Sequence, residues 1–315
     1  MFRTNGECHI RGDGCVSIGP KTKQKPQLLK LMEINAHTQF CGVIGNPVEH
    51  SLSPAIHNAA FQKLGLNFVY LAFRVEAIGD AIKGLRALGN FRGASVTIPH
   101  KVAALPFLDS VEPTARHIGA INTIVAEGGI LTGYNTDATG ALRALREGGV
   151  AWKGKRVVML GSGGAARAIA FALGIEAGVD RLTILGIDDR ERTALVRDLQ
   201  SKTGMTVQES PLDEGMLRKV LPAAQVLIHC TPMGMSPKVH ETSVPATLLH
   251  AGLTVMDIVY NPRETQLLKD AKTAGCRTIP GLEMFLHQAA AQFELWTNQA
   301  APADVMRAVL ESRFS

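Results

Sequence analysis

Short apolar runs and stretches of helical spacing alternate almost to the end of the chain. Apolar runs predict strands over Phe40–Ile44, Phe68–Phe73, Ala94–Ile98 and Ile121–Val125. Helical spacing predicts helices over Pro54–Leu64, Ala77–Leu88 and Pro113–His117. A glycine-rich, hinge-like stretch from Gly128 to Asp137 leads into a helix at Ala138–Glu147. A second series begins near Lys155. Its strands are Arg156–Leu160, Leu182–Leu185, Val226–His229 and Thr254–Ile258, with helices between them and Pro262 and Pro280 as punctuation. Two helical segments close the chain at Leu282–Trp296 and Pro302–Leu310. This alternation predicts an α/β fold with a largely parallel sheet.

The 315-residue length adds an expectation of two domains. Hydrophobic residues make up 46% and charged residues 19%, which fits a soluble globular chain with a sizeable core. The net charge of +5 is unevenly placed: six basic and two acidic residues within 1–30 account for +4 of it. The remaining body is near neutral and offers no case for nucleic-acid binding. Residues 1–36 lack an apolar period and a signal-peptide core, so they read as a disordered or non-native arm, with Met32 as an alternative start. No run approaches the ~20 apolar residues that span a bilayer, so no membrane partner is expected. The five cysteines form no C-x-x-C pair, and the histidines form no H-x-x-x-H pair. A reducing, cytoplasmic location without a metal is therefore expected.

The most specific signal lies mid-chain. Val157–Leu160 runs into Gly161-Ser162-Gly163-Gly164-Ala165-Ala166-Arg167 and then an apolar helical stretch to about Gly174. G-x-G-x-x-A between strand and helix lays a pyrophosphate on a helix N-terminus. Asp188 follows a second apolar strand about 22 residues on, where a ribose contact is expected. Gly161, Gly163, Gly164, Ala165 and Asp188 are therefore candidate cofactor residues. The preceding residues suffice for a separate domain holding whatever the nucleotide reacts with.

Other polar residues admit two readings each. In His50-Ser51-Leu52-Ser53-Pro54, Ser53 reads as the N-cap of a helix with Pro54 at its first position. Ser51 is surplus to that cap, and two hydroxyls beside a helix N-terminus suit a carboxylate. Lys101 follows Val96-Thr97-Ile98-Pro99-His100 at a strand's carboxyl end. It is either a solvated lysine or a ligand group, and a cation in a first helical turn is electrostatically misplaced. Asn122 sits inside an apolar strand candidate and must find partners there. Asp137 reads either as a helix N-cap or as a site carboxylate. Met284 and Gln288 share a helix face; core packing is the default for the methionine and less comfortable for the glutamine. Cys230 reads as an inert buried thiol.

Taken together, these segments resemble the shikimate dehydrogenase family, including its quinate/shikimate branch. The matching motifs are Gly45–Pro54, Val96–Lys101, Gly119–Thr123, Tyr134–Asp137, Gly161–Ala166, Asp257–Pro262 and Gly281–Gln288, in the family's order. The resemblance implies a substrate domain over 37–138 and a Rossmann-type, doubly wound dinucleotide-binding domain over 139–281. Residues 282–315 would then return to the first domain. It implies that Ser51, Ser53 and Tyr260 hold a substrate carboxylate. Thr97, Asn122, Asp137 and Gln288 would bind ring hydroxyls, and Lys101 with Asp137 would form the catalytic pair. Thr231, Gly281 and Met284 join the cofactor set. The implied partner is a small ring carboxylate (shikimate, quinate or an analogue), in a monomer or homodimer.

Three departures refine this expectation. Most NADP-using members carry Asn-Arg-Ser/Thr where this chain has Gly186-Ile187-Asp188, so NAD is the expected cofactor, with NADP open through Arg190 or Arg192. Ser95 replaces a frequent Asn, and His229-Cys230 replaces Asn-Ala. Two other readings remain: a non-catalytic ligand sensor that kept the fold, or a folate or amino-acid dehydrogenase of the same plan. Retention of both Lys101 and Asp137 weighs against the sensor. The Ser-x-Ser segment weighs against the other dehydrogenases.

Overall fold

A computed structural model describes residues 33–179 and 181–314. Residues 1–32 of the expected arm lie outside the described residues, and Asn35 and Thr38 form a turn.

The first half contains β1 (Gln39–Gly45), α1 (Ser53–Leu64), β2 (Phe68–Arg74), α2 (Ile78–Arg86), β3 (Phe91–Val96), α3 (His100–Ala103), β4 (Ser110–Val111), α4 (Pro113–Ile118), β5 (Thr123–Glu127) and β6 (Ile130–Tyr134). Helix α5 (Thr136–Glu147) leads to β7 (Arg156–Leu160), α6 (Gly164–Ile175), β8 (Arg181–Gly186), α7 (Asp189–Thr203), β9 (Thr206–Pro211), α8 (Glu214–Val220), β10 (Val226–His229) and β11 (Thr254–Asp257). The chain ends with α9 (Gln266–Thr273), β12 (Arg277–Pro280), α10 (Gly281–Thr297) and α11 (Ala303–Ser312).

Two six-stranded sheets result. The second has the order β12-β11-β10-β7-β8-β9 and is parallel throughout. Strands β7 and β10 are apolar runs because helices cover both faces. The chain builds outward from β7 to β9, then returns to β10 beside β7. That reversal opens the crevice where α/β sheets bind ligands.

The first sheet has the order β2-β1-β3-β5-β6-β4 and is mixed. Strand β5 runs antiparallel to both β3 and β6. The expected hinge at Gly128–Asp137 is instead the turn of a hairpin followed by β6. Gly128 and Gly129 have φ of +57° and +82°, the two positive values that a two-residue primed turn needs. Asn122 also lies just before β5, not within a strand. These two corrections matter, because the hairpin pairs Thr123 with Tyr134 and so sets Asn122 beside Asn135–Asp137.

Helix α10 crosses α5 closely at Gly140, then runs on over the first sheet. Trp296 near its end is fully buried and donates Nε1–H to the Ile124 carbonyl at 3.0 Å. Helix α11 packs on α1. No helix among the described residues is long and apolar enough to cross a membrane.

Candidate active site

The carboxyl ends of β1, β3 and β6 and the amino end of β5 meet at one end of the first sheet. Lys101 sits in the single turn α3, just past β3, and its carbonyl accepts from the Ile121 N–H at 2.8 Å. Its Nζ donates to Asp137 Oδ2 at 2.5 Å, with side-chain exposures of 18% and 10%. Asp137 is not the cap of its helix. Asn135 is, accepting from the N–H groups of Asp137 at 3.1 Å and Ala138 at 3.4 Å. The carboxylate is thereby free for the site while remaining in the first turn of α5, where the helix dipole favours an anion.

Asn122 supplies Asp137 with its second partner, donating Nδ2–H to Oδ1 at 2.9 Å. The same nitrogen lies 3.0 Å from Thr136 Oγ1 and 3.4 Å from Gln288 Oε1. Its oxygen accepts from the Thr136 N–H at 2.7 Å and from the Thr123 hydroxyl at 2.8 Å. Lys101, Asp137, Asn122 and Gln288, predicted separately, are thus joined in one hydrogen-bonded cluster.

Sequence reasoning missed the support behind this cluster. Gln292, one helical turn beyond Gln288, donates to Thr123 Oγ1 at 2.9 Å and to the Asn122 carbonyl at 3.2 Å. Its oxygen accepts from Ser95, which in turn accepts from the Tyr70 hydroxyl. The i, i+4 spacing of two glutamines was the available signal. Ser95 therefore has a partner of its own in this chain.

Ser51 lies on the segment between β1 and α1, Ser53 is the first residue of α1, and Thr97 lies just beyond β3. Ser53 is not the cap of α1: Leu52 occupies that position and no side chain caps the helix. Ser51 Oγ instead accepts from the Ser53 N–H at 3.3 Å. Ser51 lines an open cleft of about 530 Å³ that also meets His50, Asn58 and Arg313. Thr97 packs against Gly45, where any Cβ would collide with its methyl group. Tyr260 stacks on Phe285 of α10 with ring centroids 4.6 Å apart, and burial raises its phenol pKa.

The glycine loop fits a dinucleotide. Gly161 has φ +104°, and a Cβ there would sit 2.9 Å from the Cys230 carbonyl oxygen. Gly163 caps α6 without a side chain, leaving the helix N-terminus open, and Ala165 follows in its first turn. A Cβ on Gly164 would lie 3.9 Å from Lys101 Cδ, so the loop adjoins the lysine directly. Gly281 starts α10 against the Ile258 backbone, 2.5 Å from a hypothetical Cβ. Met284 is buried in the core shared with α5 and α6. Burial pushes the Cys230 thiol pKa up, which fits an inert group.

Asp188 follows β8 and caps α7, accepting from the Glu191 N–H at 2.8 Å through Oδ1. Of the two arginines through which NADP stays open, Arg190 is exposed and Arg192 is already committed. It is buried and bonded to Glu209 at 3.0 Å, the Gly186 carbonyl at 2.8 Å and Asp189 at 2.7 Å. Elsewhere, Glu147, Glu283 and His287 approach one another, but Arg307 grips both oxygens of Glu283, and Arg143 bonds Glu147.

Residues 43–124 match the shikimate dehydrogenase substrate binding domain, and residues 281–311 match the shikimate 5'-dehydrogenase C-terminal domain. A shikimate dehydrogenase (NADP(+)) of Moorella thermoacetica is 46% identical over 282 residues, covering 89% of this chain and 95% of that one. The crystal structure of shikimate 5-dehydrogenase from Listeria monocytogenes, in complex with shikimate and NAD, superposes with a TM-score of 0.82 at 40% identity. It covers 88% of this chain and 98% of that one. Quinate dehydrogenase from Corynebacterium glutamicum, in complex with NAD, gives a TM-score of 0.81 at 33% identity, covering 87% and 99%.

Proposed function

The chain belongs to the shikimate dehydrogenase family, and from that premise we propose an NAD-linked dehydrogenase that interconverts shikimate or quinate and the corresponding 3-dehydro ketone. The observation that carries this reading is the Lys101–Asp137 pair, bonded at 2.5 Å and adjoining the glycine loop.

Oxidising an alcohol requires a base at its oxygen; reducing the ketone requires an acid and positive charge there. In this reading Lys101 Nζ takes and returns that proton. Asp137 holds the ammonium in place and accepts from a ring hydroxyl. Asn122 and Gln288 fix the ring's orientation, with Thr97 at its edge. Ser51, Ser53 and Tyr260 receive the carboxylate. The bound nicotinamide supplies the hydride chemistry, and the protein's share is orientation. Residues 37–138 would carry the substrate and 139–281 the dinucleotide, on the open α6 N-terminus.

NAD preference rests on the edge of β8. The Moorella relative is named for NADP(+), yet Ile187 here is exposed and uncharged, Asp188 is anionic, and Arg192 is committed to Glu209. A carboxylate welcomes a ribose diol and repels a 2'-phosphate. Initial rates with shikimate and quinate, each with NAD and NADP, test the whole reading. Turnover of either acid with NAD exceeding NADP is expected. No turnover of either with either cofactor defeats it.

A further inference from the structure

His229 and Asp257 end the adjacent strands β10 and β11, facing each other beneath the cofactor crevice. Both are essentially inaccessible, with exposures of 1% and 0%. Asp257 acts as an acceptor on both oxygens. Oδ2 receives the Thr265 hydroxyl at 2.6 Å, and Oδ1 receives the Val259 N–H at 3.0 Å. His229 Nδ1 lies 2.9 Å from Oδ1, so that nitrogen carries a proton and donates. In that Nδ1–H tautomer the far nitrogen, Nε2, is an acceptor, as in other carboxylate–imidazole–hydroxyl arrays. Nε2 lies 2.5 Å from Thr231 Oγ1, so the threonine hydroxyl spends its only proton on His229. Thr231 Oγ1 also accepts from the Met233 N–H at 3.2 Å, which leaves one lone pair.

Thr231 borders the crevice itself. Its methyl group would lie 3.3 Å from a Cβ on Gly161, the first glycine of the loop. We propose that His229, held by Asp257, makes Thr231 a one-way acceptor for a hydrogen-bond donor on the nicotinamide half of the bound dinucleotide. The donor is either a ribose hydroxyl or the carboxamide N–H. The inference rests on the dinucleotide reading above. His229 is a positioning residue: it acts through Thr231 and does not touch the ligand.

Fluorescence titration of the full chain with NADH tests this without requiring turnover. Thr231→Val should weaken NADH binding about 3- to 10-fold, the worth of one neutral hydrogen bond, and Thr231→Ser should restore it. His229→Leu should lose a similar factor, and His229→Asn, whose amide also offers one donor and one acceptor, should recover most of it. The KM for the acid substrate should not change. Repeating the titration with the reduced 3-acetylpyridine analogue, which lacks the carboxamide N–H, separates the two donors. A Thr231→Val loss that persists assigns the ribose, and one that vanishes assigns the carboxamide. NADH binding by Thr231→Val equal to wild type overturns the proposal even if the enzyme turns over. Wild-type protein that binds NADH tightly but oxidises neither acid overturns the function and leaves this test standing. Failure of the wild type to bind NADH overturns both.

Discussion

Replacing Gly140 by alanine probes how closely the two helices of the site must meet. Gly140 is where α5 touches α10, and α5 carries Asp137 while α10 carries Met284 and Gln288. A Cβ at Gly140 would lie 2.8 Å from the Met284 carbonyl oxygen, 2.8 Å from the Gln288 nitrogen and 2.9 Å from Gln288 Cβ. Ordinary contact begins at 3.4 Å, so the helices must separate by about 0.6 Å, and two of the three obstacles are backbone atoms. Overpacking of this kind costs about 1–3 kcal/mol. At roughly 2–4 °C per kcal/mol for a domain of this size, Tm should fall by about 2–12 °C. The same displacement moves Gln288 away from Asn122 and Asp137. A misplacement of 1 Å costs about 10²-fold in rate, so about 0.6 Å should cost roughly tenfold in kcat/KM. Scanning calorimetry and initial rates on the purified Gly140→Ala protein read both quantities. Unchanged Tm together with unchanged kcat/KM would refute the close crossing and the positioning role assigned to it.

Two further outcomes follow from the geometry. Ile187→Arg with Asp188→Ser, which keeps a capping hydroxyl for α7, should shift the NADP:NAD ratio of kcat/KM upward by about tenfold or more, since removing one repulsive unit charge and adding one attractive charge near 4 Å are each worth roughly 1 kcal/mol even in water; an unmoved ratio contradicts the place given to Asp188. His57 is buried without a partner for either ring nitrogen and stacks on Tyr70, and burial pushes its pKa from 6.5 down to about 3. Between those values the unfolded chain binds a proton that the folded one refuses, so stability falls as pH falls, by about 1.4 kcal/mol per pH unit. Denaturant unfolding of His57→Phe beside wild type should show a shallower loss between pH 6.5 and pH 3, and parallel pH profiles would contradict this.

The parts of the fold legible in the sequence are those buried on both faces. Strands β7 and β10 and the glycine loop announce themselves because helices cover them and only apolar residues fit. Strand β9, with Thr206, Gln208 and Ser210, and strand β12, with Pro280, were not predicted. Both are edge strands, paired on one side only, and their apolar signal is correspondingly weak. Strand β6 was missed because the Gly128–Gly129 pair read as a hinge when it was a hairpin signal. Within the site, Lys101 could be singled out from its misfit with the dipole rule, whereas Asp137 fits capping and dipole rules alike and stood out through the family resemblance. Gln292 offered only its i, i+4 spacing to Gln288, because a glutamine on a partly apolar helix face has no visible partner until β3 and β5 are brought beneath it. The role of His229 is likewise hidden, since it depends on the register of β10 against β11.

The pairing of Lys101 with Asp137 is tested most directly by measuring kcat for Lys101→Met at saturating acid and NAD, with NADH titration confirming that the cofactor still binds. The account predicts a loss of about 10²–10⁴ in kcat with cofactor affinity unchanged. A variant that binds NADH and keeps kcat within about tenfold of wild type would contradict it.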